Sequence, residues 1–363
     1  TNAVGSPFAV GTNPWSVAFG DVNGDGDLDM AIANAASSNV SVLLNNGLGS
    51  YTAAVGSPFA VGASPYSVAF GDVDGDGDLD VATANFSSTN VSVLLNNGLG
   101  SYAAAVGSPF AVGTNPHSVV FGDVDGDGDL DVATANNGSN NVSVLLNNGL
   151  GSYTAAVGSP FAVGANPRSV TFGDVDGDGD LDMATVNFSS NNISVLLNNG
   201  LGSYAAAVGS PFAVGTSPRS VAFGDVDGDG DLDVATANTG SNNVSVLLNQ
   251  IAPTTYYYRS GDAGLPGSWF NTPNPTGGTP ATSFSSPATD FYIMGGGGVT
   301  TATVNTSFTI GANVSLHVTT PSVLAVANGV TITNNGFLNV SGATVAGATL
   351  RLTGTGAIAN NPV

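Results

Sequence analysis

The stretch GDVNGDGDLDM, from Gly20 to Met30, places four aspartates and one asparagine within nine residues. Four further copies of it follow, and the first aspartate of each copy lies 51 residues after the previous one. These first aspartates are Asp21, Asp72, Asp123, Asp174 and Asp225. We call the five stretches the acidic loops. They contain 24 of the 26 acidic residues, so almost all the negative charge of the chain is gathered at five points.

The rest of the chain carries very little charge. There is no lysine, there are four arginines, and the net charge is −22. Nucleic acid and anionic membrane surfaces both need clustered basic residues, so we expect neither as a partner. No apolar run approaches the roughly 20 residues of a membrane helix, so membrane insertion is not expected. The absence of cysteine excludes disulfides and thiol catalysis.

Each 51-residue period reads as four short strands separated by turns. They are SVAFGD from Ser16, LDMAIAN from Leu28, NVSVLLN from Asn39, and YTAAVGSPFAVG from Tyr51 after the turn NNGLGS. Four antiparallel strands in a repeat of about 50 residues are typical of one propeller blade. The sequence therefore predicts an all-β fold, with a β-propeller of five four-stranded blades over residues 1–251.

The two ends of the repeat region complement each other. Ala3 to Gly11 matches the fourth strand Ala54 to Gly62, while the fifth period leaves the pattern after Asn249 and lacks a fourth strand. The N-terminal strand can complete the fifth blade and close the ring, which removes an exposed edge. The other reading is that this strand is donated to a neighbouring molecule, giving a polymer.

Residues 252–363 have a different composition, without acidic loops. Segments such as TATVNTSFTI and SVLAVANGVTITNNGFLNVSG alternate apolar residues with Thr and Asn. We predict a second, smaller β domain, either a β-solenoid or a β-sandwich. The opening YYYRSGDAGLPGSWF and the later segments resemble secreted bacterial surface proteins that continue as a right-handed β-helix.

The acidic loop has the spacing of a hard-cation site. With Asp21 as position 1, oxygen-bearing side chains stand at positions 1, 3, 5 and 9, and Gly24 and Gly26 permit tight wrapping. Calcium takes six to eight oxygens at about 2.3–2.6 Å, and a backbone carbonyl at position 7 could add another. An EF-hand needs a glutamate at position 12, where these loops have Ile or Thr.

The tandem motif F-G-D-V-[DN]-G-D-G-D-L-D resembles the FG-GAP or VCBS repeat, the calcium-loop blade of integrin α-subunit propellers and of secreted bacterial proteins. The resemblance covers about residues 1–250. It implies side-chain ligands at Asp21, Asn23, Asp25, Asp29, Asp72, Asp74, Asp76, Asp80, Asp123, Asp125, Asp127, Asp131, Asp174, Asp176, Asp178, Asp182, Asp225, Asp227, Asp229 and Asp233. It implies carbonyl ligands at Asp27, Asp78, Asp129, Asp180 and Asp231.

We therefore expect about five Ca²⁺ ions with a structural role. Without a cation the clustered carboxylates would repel one another. Five ions would change the net charge from −22 to −12, that is, −22 + 10. Sites in extracellular modules bind calcium at roughly 10⁻⁴–10⁻³ M, which favours a secreted or cell-surface protein. No basic-then-apolar leader opens the chain, so we expect a leader cleaved before Thr1.

Two variable positions stand out among the nearly identical periods. The residue after the Asn-Pro or Ser-Pro dipeptide is Trp15, Tyr66, His117, Arg168 or Arg219. The second variable position holds Ala35, Phe86, Asn137, Phe188 or Thr239. Antiparallel pairing puts both positions on the rim opposite the acidic loops. We predict a partner-binding face there, because Trp, Tyr and Arg are common interface anchors; drift at tolerant surface positions is the alternative.

The titratable inventory is too poor for catalysis, with no Cys, Lys or Glu and two distant histidines. We therefore predict that the protein is not an enzyme. We expect an extracellular structural or adhesive protein, either a self-assembling filament subunit or one bound to a surface protein or glycan. The alternative is a secreted carbohydrate- or protein-binding propeller of the lectin type.

Overall fold

The computed structural model describes residues 2–228 and 230–249 and, beyond them, twelve strand segments between Thr255 and Ala359. Across these described residues the chain forms strands and turns, and no helix is long and apolar enough to cross a membrane. The prediction of an all-β fold built from repeated antiparallel sheets is confirmed. The reason is local: each period alternates Val, Ala, Thr and Phe over six or seven residues and then breaks at Gly, Asn or Asp.

The first four repeats form equivalent antiparallel sheets. Their strands are β1 (Pro14–Gly20), β2 (Asp29–Asn34), β3 (Asn39–Asn45), β4 (Tyr51–Ala53), β5 (Phe59–Ala60); β6 (Pro65–Gly71), β7 (Asp80–Asn85), β8 (Asn90–Asn96), β9 (Tyr102–Ala104), β10 (Phe110–Ala111); β11 (Pro116–Gly122), β12 (Asp131–Asn136), β13 (Asn141–Asn147), β14 (Tyr153–Ala155), β15 (Phe161–Ala162); β16 (Pro167–Gly173), β17 (Asp182–Asn187), β18 (Asn192–Asn198), β19 (Tyr204–Ala206), β20 (Phe212–Ala213). The fifth repeat has β21 (Pro218–Gly224), β22 (Asp233–Asn238) and β23 (Asn243–Leu247).

The fourth strand of each complete sheet is broken into two short strands. In the first repeat β4 and β5 both pair with β3, at its end and its start respectively. Between them the Ser57–Pro58 peptide bond is cis, and Ser57 Oγ accepts the Val42 N–H at 2.9 Å. The single continuous strand predicted over YTAAVGSPFAVG is wrong, because Pro58 has no N–H to give to a ladder. At this break the Ser57 hydroxyl oxygen serves as the acceptor for the Val42 N–H.

The hydrophobic cores lie between consecutive repeats. We call the side of a sheet that packs on the next repeat its following face, and the side that packs on the previous repeat its preceding face. Between the first two repeats, the following face contributes Val22, Ala31, Ala33, Val40, Val42 and Phe59, and the preceding face contributes Val68, Phe70, Leu79, Val81 and Tyr102. Residues 51 positions later build the next core, and the pattern continues along the array. Each sheet thus buries both faces only when it has two neighbours.

The outermost faces of the array are exposed. Val17 on the preceding face of repeat 1 is 54% exposed, whereas Val68 in repeat 2 is 6% exposed. Val244 on the following face of repeat 5 is 66% exposed, whereas Val40 in repeat 1 is fully buried. The exposed set is Val17, Phe19, Leu28, Val226, Val244, Val246 and Leu248. Two apolar surfaces that elsewhere form cores therefore face solvent.

The fifth sheet is incomplete within the described residues. There β23 pairs only with β22, so the sheet has three strands. The predicted set of five four-stranded blades is therefore found for four repeats only, and no ring closure occurs among the described residues. The physical reason is that a fourth strand for this sheet must come from a distant part of the chain or from another chain.

The N-terminal segment lies against repeat 1 in the way that a fourth strand lies against the next repeat. The Phe8 ring meets the Tyr51 ring edge-on with centroids 5.2 Å apart, as Phe59 meets Tyr102 at 5.3 Å. Residues 3–11 nevertheless form no strand, and they pair with no strand of repeat 5 among the described residues. This segment therefore makes the side-chain contact of a fourth strand without its backbone pairing among the described residues.

The later strand segments pair mainly in parallel. They are β24 (Thr255–Tyr258), β25 (Trp269–Phe270), β26 (Thr289–Ile293), β27 (Thr301–Val304), β28 (Phe308–Ile310), β29 (Val314–Val318), β30 (Val323–Val326), β31 (Ile332–Asn334), β32 (Phe337–Asn339), β33 (Thr344–Gly347), β34 (Leu352–Thr353) and β35 (Ala357–Ala359). Strands β24, β26, β29, β32 and β35 form one parallel ladder, β27, β30 and β33 a second, and β28, β31 and β34 a third. Short parallel strands of this kind differ from the antiparallel sheets of a sandwich.

Candidate functional site

Each acidic loop is folded by its own carboxylates. In the second repeat Asp72 accepts the N–H groups of Gly75 and Gly77 at 2.8 and 3.0 Å, and Asp76 accepts the Asp78 N–H at 2.9 Å. Gly75 and Gly77 have φ values of +73° and +92°, which glycine adopts without strain. The loop between β6 and β7 is therefore wound around its first aspartate, and the oxygens of alternate residues are brought together.

The ninth residue of the loop is a buried carboxylate. Asp80 is fully buried, and it accepts the N–H groups of Val73 at 2.9 Å and of Asn96 at 2.7 Å. Burial raises the pKa of Asp80 to about 7, although these two hydrogen bonds act in the opposite direction. Burial likewise raises the pKa of Asp131 to about 6. A nearby cation would remove much of this cost, because an opposite charge favours the ionised form.

In four repeats the carboxylate oxygens of three aspartates lie within 4.8 Å of one another. The groups are Asp72, Asp74 and Asp80; Asp123, Asp125 and Asp127; Asp174, Asp176 and Asp182; Asp225, Asp227 and Asp233. The Asp74 and Asp125 Oδ1 atoms are buried and have no hydrogen-bond partner. An acceptor without a donor, surrounded by further carboxylates, is costly for a folded chain. All the atoms that could ligate a metal here are oxygens, so these groups can hold a hard metal ion.

The seventh residue of the loop has a different position. A Cβ added to Gly47 would lie 2.6 Å from Asp27 Oδ2, so the Asp27 side chain packs directly against the turn NNGLGS. The same contact joins Asp78 to Gly98, Asp129 to Gly149 and Asp180 to Gly200. None of these aspartates belongs to the three-carboxylate groups. The prediction that position 7 contributes its carbonyl is untested, and its side chain lies away from the cluster.

The first and fifth repeats need separate description. In the first, Asn23 occupies position 3 and donates to Asp25 Oδ2 at 3.0 Å, so this loop has one carboxylate fewer. In the fifth, Asp229 lies outside the described residues. The assignment of all 25 predicted ligands therefore stays a prediction.

An asparagine that the sequence analysis did not single out joins the loops of neighbouring repeats. The Asn96 side chain donates to the Val22 carbonyl of the previous repeat at 2.8 Å and to the Leu79 carbonyl at 3.2 Å. Asn147 and Asn198 make the same contacts one and two repeats later. The signal was available, because this first asparagine of NNGLGS is identical in all four turns.

The variable residues before the first strands occupy β-bulges. In the β1–β2 ladder Pro14 pairs with Asn34 and Ser16 with Ala33, so Trp15 has no partner. The same shift occurs at Tyr66, His117, Arg168 and Arg219. A bulge interrupts the regular alternation of side chains between the two faces of the sheet, and this changes the direction of the extra residue's side chain. The acidic loop lies beyond the other end of the ladder, where Gly20 pairs with Asp29.

The re-aimed side chains and two phenylalanines form one group. We call it the rim cluster: Trp15, Tyr66, Phe86, His117, Arg168, Phe188 and Arg219. Trp15 stacks on Tyr66 with centroids 4.2 Å apart, and Tyr66 stacks on Phe86 at 4.4 Å. The His117 ring stands edge-on to Tyr66 at 5.5 Å and to Trp15 at 6.3 Å. Residues of the first and third repeats thus touch, which places the variable residues together on one rim.

The positive half of the rim cluster surrounds Phe188. The Arg168 guanidinium carbon lies 3.6 Å from the Phe188 centroid, and that of Arg219 lies 5.4 Å away. Burial and the Arg219 charge lower the pKa of Arg168. Burial and the two arginine charges lower the pKa of His117 to about 4, which leaves the imidazole neutral at pH 7. Three other residues occupy the second variable position. Ala35 and Asn137 make no ring contact in this cluster, and Thr239 accepts a hydrogen bond from Arg219 Nε at 3.3 Å.

Solved structures resemble this chain only distantly. An Agrocybe aegerita lectin that recognises non-reducing terminal N-acetylglucosamine is 23% identical, with a TM-score of 0.40 over 64% of this chain and 66% of the lectin. A functionally unknown protein from Desulfotomaculum acetoxidans is 12% identical, with a TM-score of 0.48 over 69% of this chain and 77% of that one. An auxiliary nutrient binding protein from Bacteroides ovatus is 13% identical, with a TM-score of 0.43 over 65% of this chain and 59% of that one.

Sequence comparison gives a clearer result. No curated protein matches the chain significantly. The family model of the FG-GAP-like repeat matches four times, at residues 21–83, 72–134, 123–185 and 184–236. These matches span more than half of the 363 residues, and the first three each run from the first aspartate of one acidic loop into the next repeat. The chain belongs to the FG-GAP-like repeat family.

Proposed function

We propose that residues 1–251 form a calcium-stabilised β-propeller of an extracellular structural or adhesive protein, and that residues 252–363 form a second β domain of solenoid type. The observation that carries the proposal is the pair of exposed apolar faces at the ends of the repeat array. These are the preceding face of repeat 1 and the following face of repeat 5. The proposal assigns the protein no catalytic role.

The two end faces are complementary because the repeats are nearly identical. Val17, Phe19 and Leu28 correspond to Val68, Phe70 and Leu79, which pack on the following face of repeat 1. Val244 and Val246 correspond to Val40 and Val42 on that following face. Covering such apolar area contributes roughly 25 cal/mol per Å². A strong driving force therefore favours contact between a first and a fifth repeat.

The contact can be made in two ways. Within one chain it closes a ring of five repeats, with residues 3–11 supplying the fourth strand of the fifth sheet. Between chains it joins the molecules head to tail into a filament, and the same segment crosses to its neighbour. Both arrangements give a durable scaffold, and only the second gives a homopolymer.

Calcium supports the extracellular part of the proposal. The carboxylate groups offer only oxygen ligands, and calcium sites of extracellular modules bind at roughly 10⁻⁴–10⁻³ M. Such sites are filled at the millimolar calcium concentration outside cells. We assign the ions a structural role, because each loop joins the first two strands of its own sheet.

The proposal is tested by the mass of the full chain in millimolar calcium, measured by light scattering, with electron micrographs of the same sample. Large particles that fall to the 35.6 kDa monomer in Val246→Asp establish the filament. A wild-type monomer that Val246→Asp destabilises establishes the ring. The control is Leu99→Asp, at a residue that is 69% exposed, against 50% for Val246, and that lies in a turn. A monomer in which both variants are as stable as the wild type contradicts the proposal.

A second candidate function is a glycan- or protein-binding module, and the rim cluster favours it. The five large residues that differ between repeats before each first strand are brought together at one rim with Phe86 and Phe188. Mixed aromatic and arginine side chains are typical of binding surfaces. A scaffold displayed on a cell surface can have this second role as well.

A further inference from the structure

Two positive side chains of the rim cluster lie beside each other without an acidic partner. Arg168 and Arg219 share the Phe188 ring, at 3.6 and 5.4 Å. Among the described residues no carboxylate forms an ion pair with either, and Arg168 Nε is buried without a hydrogen-bond acceptor. The Arg219 Nε donates to Thr239 Oγ1, and this hydroxyl donates to the Ser217 carbonyl at 2.9 Å. The Arg219 side chain is thus oriented by Thr239, and no described carboxylate neutralises either arginine.

The acidic loops are too far away to neutralise this pair. Arg168 is the second residue of β16, and the loop that begins at Asp174 follows the other end of that strand. Six strand residues span about 20 Å. The Debye length at physiological ionic strength is about 8 Å, so charges at the two ends act independently. An anion can therefore reach the arginines without strong repulsion from the aspartates.

An aromatic surface adjoins the arginine pair. Trp15, Tyr66 and Phe86 form a stack, and Trp15 is 47% exposed. His117 stands between this stack and the arginines, and it is neutral because its pKa is lowered to about 4. It can therefore donate or accept a hydrogen bond without adding charge. The rim thus combines a flat apolar surface, a neutral polar group and two guanidinium groups.

We propose that the rim cluster binds an acidic saccharide, with the carboxylate or sulfate group on Arg168 and Arg219 and the sugar ring against Trp15. Guanidinium groups bind planar oxyanions through paired hydrogen bonds, and the Arg219 side chain is exposed beside the half-buried Arg168. An aromatic ring offers a flat apolar surface to the C–H face of a sugar. The proposal rests on the second candidate function, the binding module, and names its ligand class.

The test is calorimetric titration of the full chain, in calcium and physiological salt, with four probes: trigalacturonate, galactose 6-sulfate, neutral galactotriose and hexaglutamate. We expect a carboxylated or sulfated sugar to bind at least about tenfold more tightly than the neutral one, since charge-assisted hydrogen bonds are the stronger class. The first two probes distinguish a carboxylate from a sulfate source. Arg168→Gln with Arg219→Gln should abolish this preference, and Trp15→Ala should weaken both charged and neutral sugars.

The control variant is Arg259→Gln with Arg351→Gln, which removes the same two charges from the later part of the sequence and should change nothing. A conservative pair, Arg168→Lys with Arg219→Lys, keeps the charge but loses the guanidinium fork and should bind weakly. Equal affinity for charged and neutral sugars, or no binding by any, overturns the proposal. Hexaglutamate binding as tightly as the sugars would mean that the partner is an acidic protein. Light scattering of the same variants measures whether the chains still assemble through the end faces. A failure of saccharide binding can therefore be distinguished from a failure of the proposed scaffold function.

Discussion

At the scale of single residues, His117 gives the clearest pH dependence. The rings of Trp15, Tyr66 and Phe86 and the charges of Arg168 and Arg219 surround it, and its folded-state pKa is about 4 against 6.5 ordinarily. A lowered folded pKa means that stability is present above pH 6.5 and is lost as the pH falls towards 4. His117→Gln should therefore lose less stability than the wild type over this range, by up to about 3 kcal/mol.

The measurement is the free energy of unfolding of both proteins at several pH values in saturating calcium. Burial raises the pKa of Asp80 and Asp131, and this acts with the opposite sign, but these aspartates are present in both proteins and cancel in the difference. Parallel curves for the two proteins would falsify this account of His117.

At the scale of elements, the turn NNGLGS is fitted to the acidic loop. Gly47 and Gly49 both have positive φ, +73° and +77°, but a Cβ at Gly47 meets Asp27 at 2.6 Å while one at Gly49 finds its nearest neighbour at 3.9 Å. Gly49→Ala should cost about 1 kcal/mol of stability for the left-handed conformation alone. Gly47→Ala should cost up to about 1 kcal/mol more, because the carboxylate end of Asp27 has to move away from the turn.

Chemical denaturation of the two variants checks this difference. The turn, its residue types and its conformational strain are shared, so the pair isolates the contact with Asp27. If both substitutions cost the same, the packing of Asp27 on the turn contributes nothing to stability.

Much of the element order could be predicted from the sequence. The 51-residue period and the alternation in SVAFG and VATAN indicate the three long strands of each repeat. Two details could not be read in the same way. The bulge at Trp15 and the break at Ser57–Pro58 each depend on which backbone groups find a partner in the folded sheet, and alternation contains no such information.

The candidate sites were predictable to different degrees. The aspartates at positions 1, 3, 5 and 9 are marked by spacing alone, since metal ligation needs oxygens at short intervals in one loop. The role of Asp27 was not marked, because its contact with Gly47 joins residues 20 positions apart. The rim cluster was indicated by variation among repeats, but the Arg168–Phe188 contact needed the folded sheets.

At the scale of the whole molecule, calcium should control stability. Binding to the folded loops alone stabilises by RT ln(1 + [Ca²⁺]/Kd), about 1.4 kcal/mol per site at ten times Kd. With several loops in one array of packed sheets, chelation should lower the melting temperature strongly. Differential scanning calorimetry with calcium, with chelator, and with chelator plus excess magnesium measures this effect. Equal melting temperatures in calcium and in chelator would sink the metal assignment.

Closure of the array could not be settled by pattern, because it depends on surfaces more than 200 residues apart. Val17 and Val244 have the same sequence surroundings as their buried counterparts Val68 and Val40. Their exposure follows from the lack of a neighbouring repeat sheet among residues 2–228 and 230–249. The sequence of a repeat determines which apolar surface its sheet presents. Whether that surface is covered depends on whether another repeat packs against it.

The interchangeable faces between repeats also have a genetic consequence. A duplication or deletion of 51 codons leaves every remaining interface intact, since any copy fits any other. A gene of this kind can change length by recombination between its own copies without losing a foldable product. Each copied or deleted repeat includes its own bulge residue, so each such event also changes the set of side chains at the rim. New combinations of aromatic and basic groups thus arise by copying, before any codon mutates.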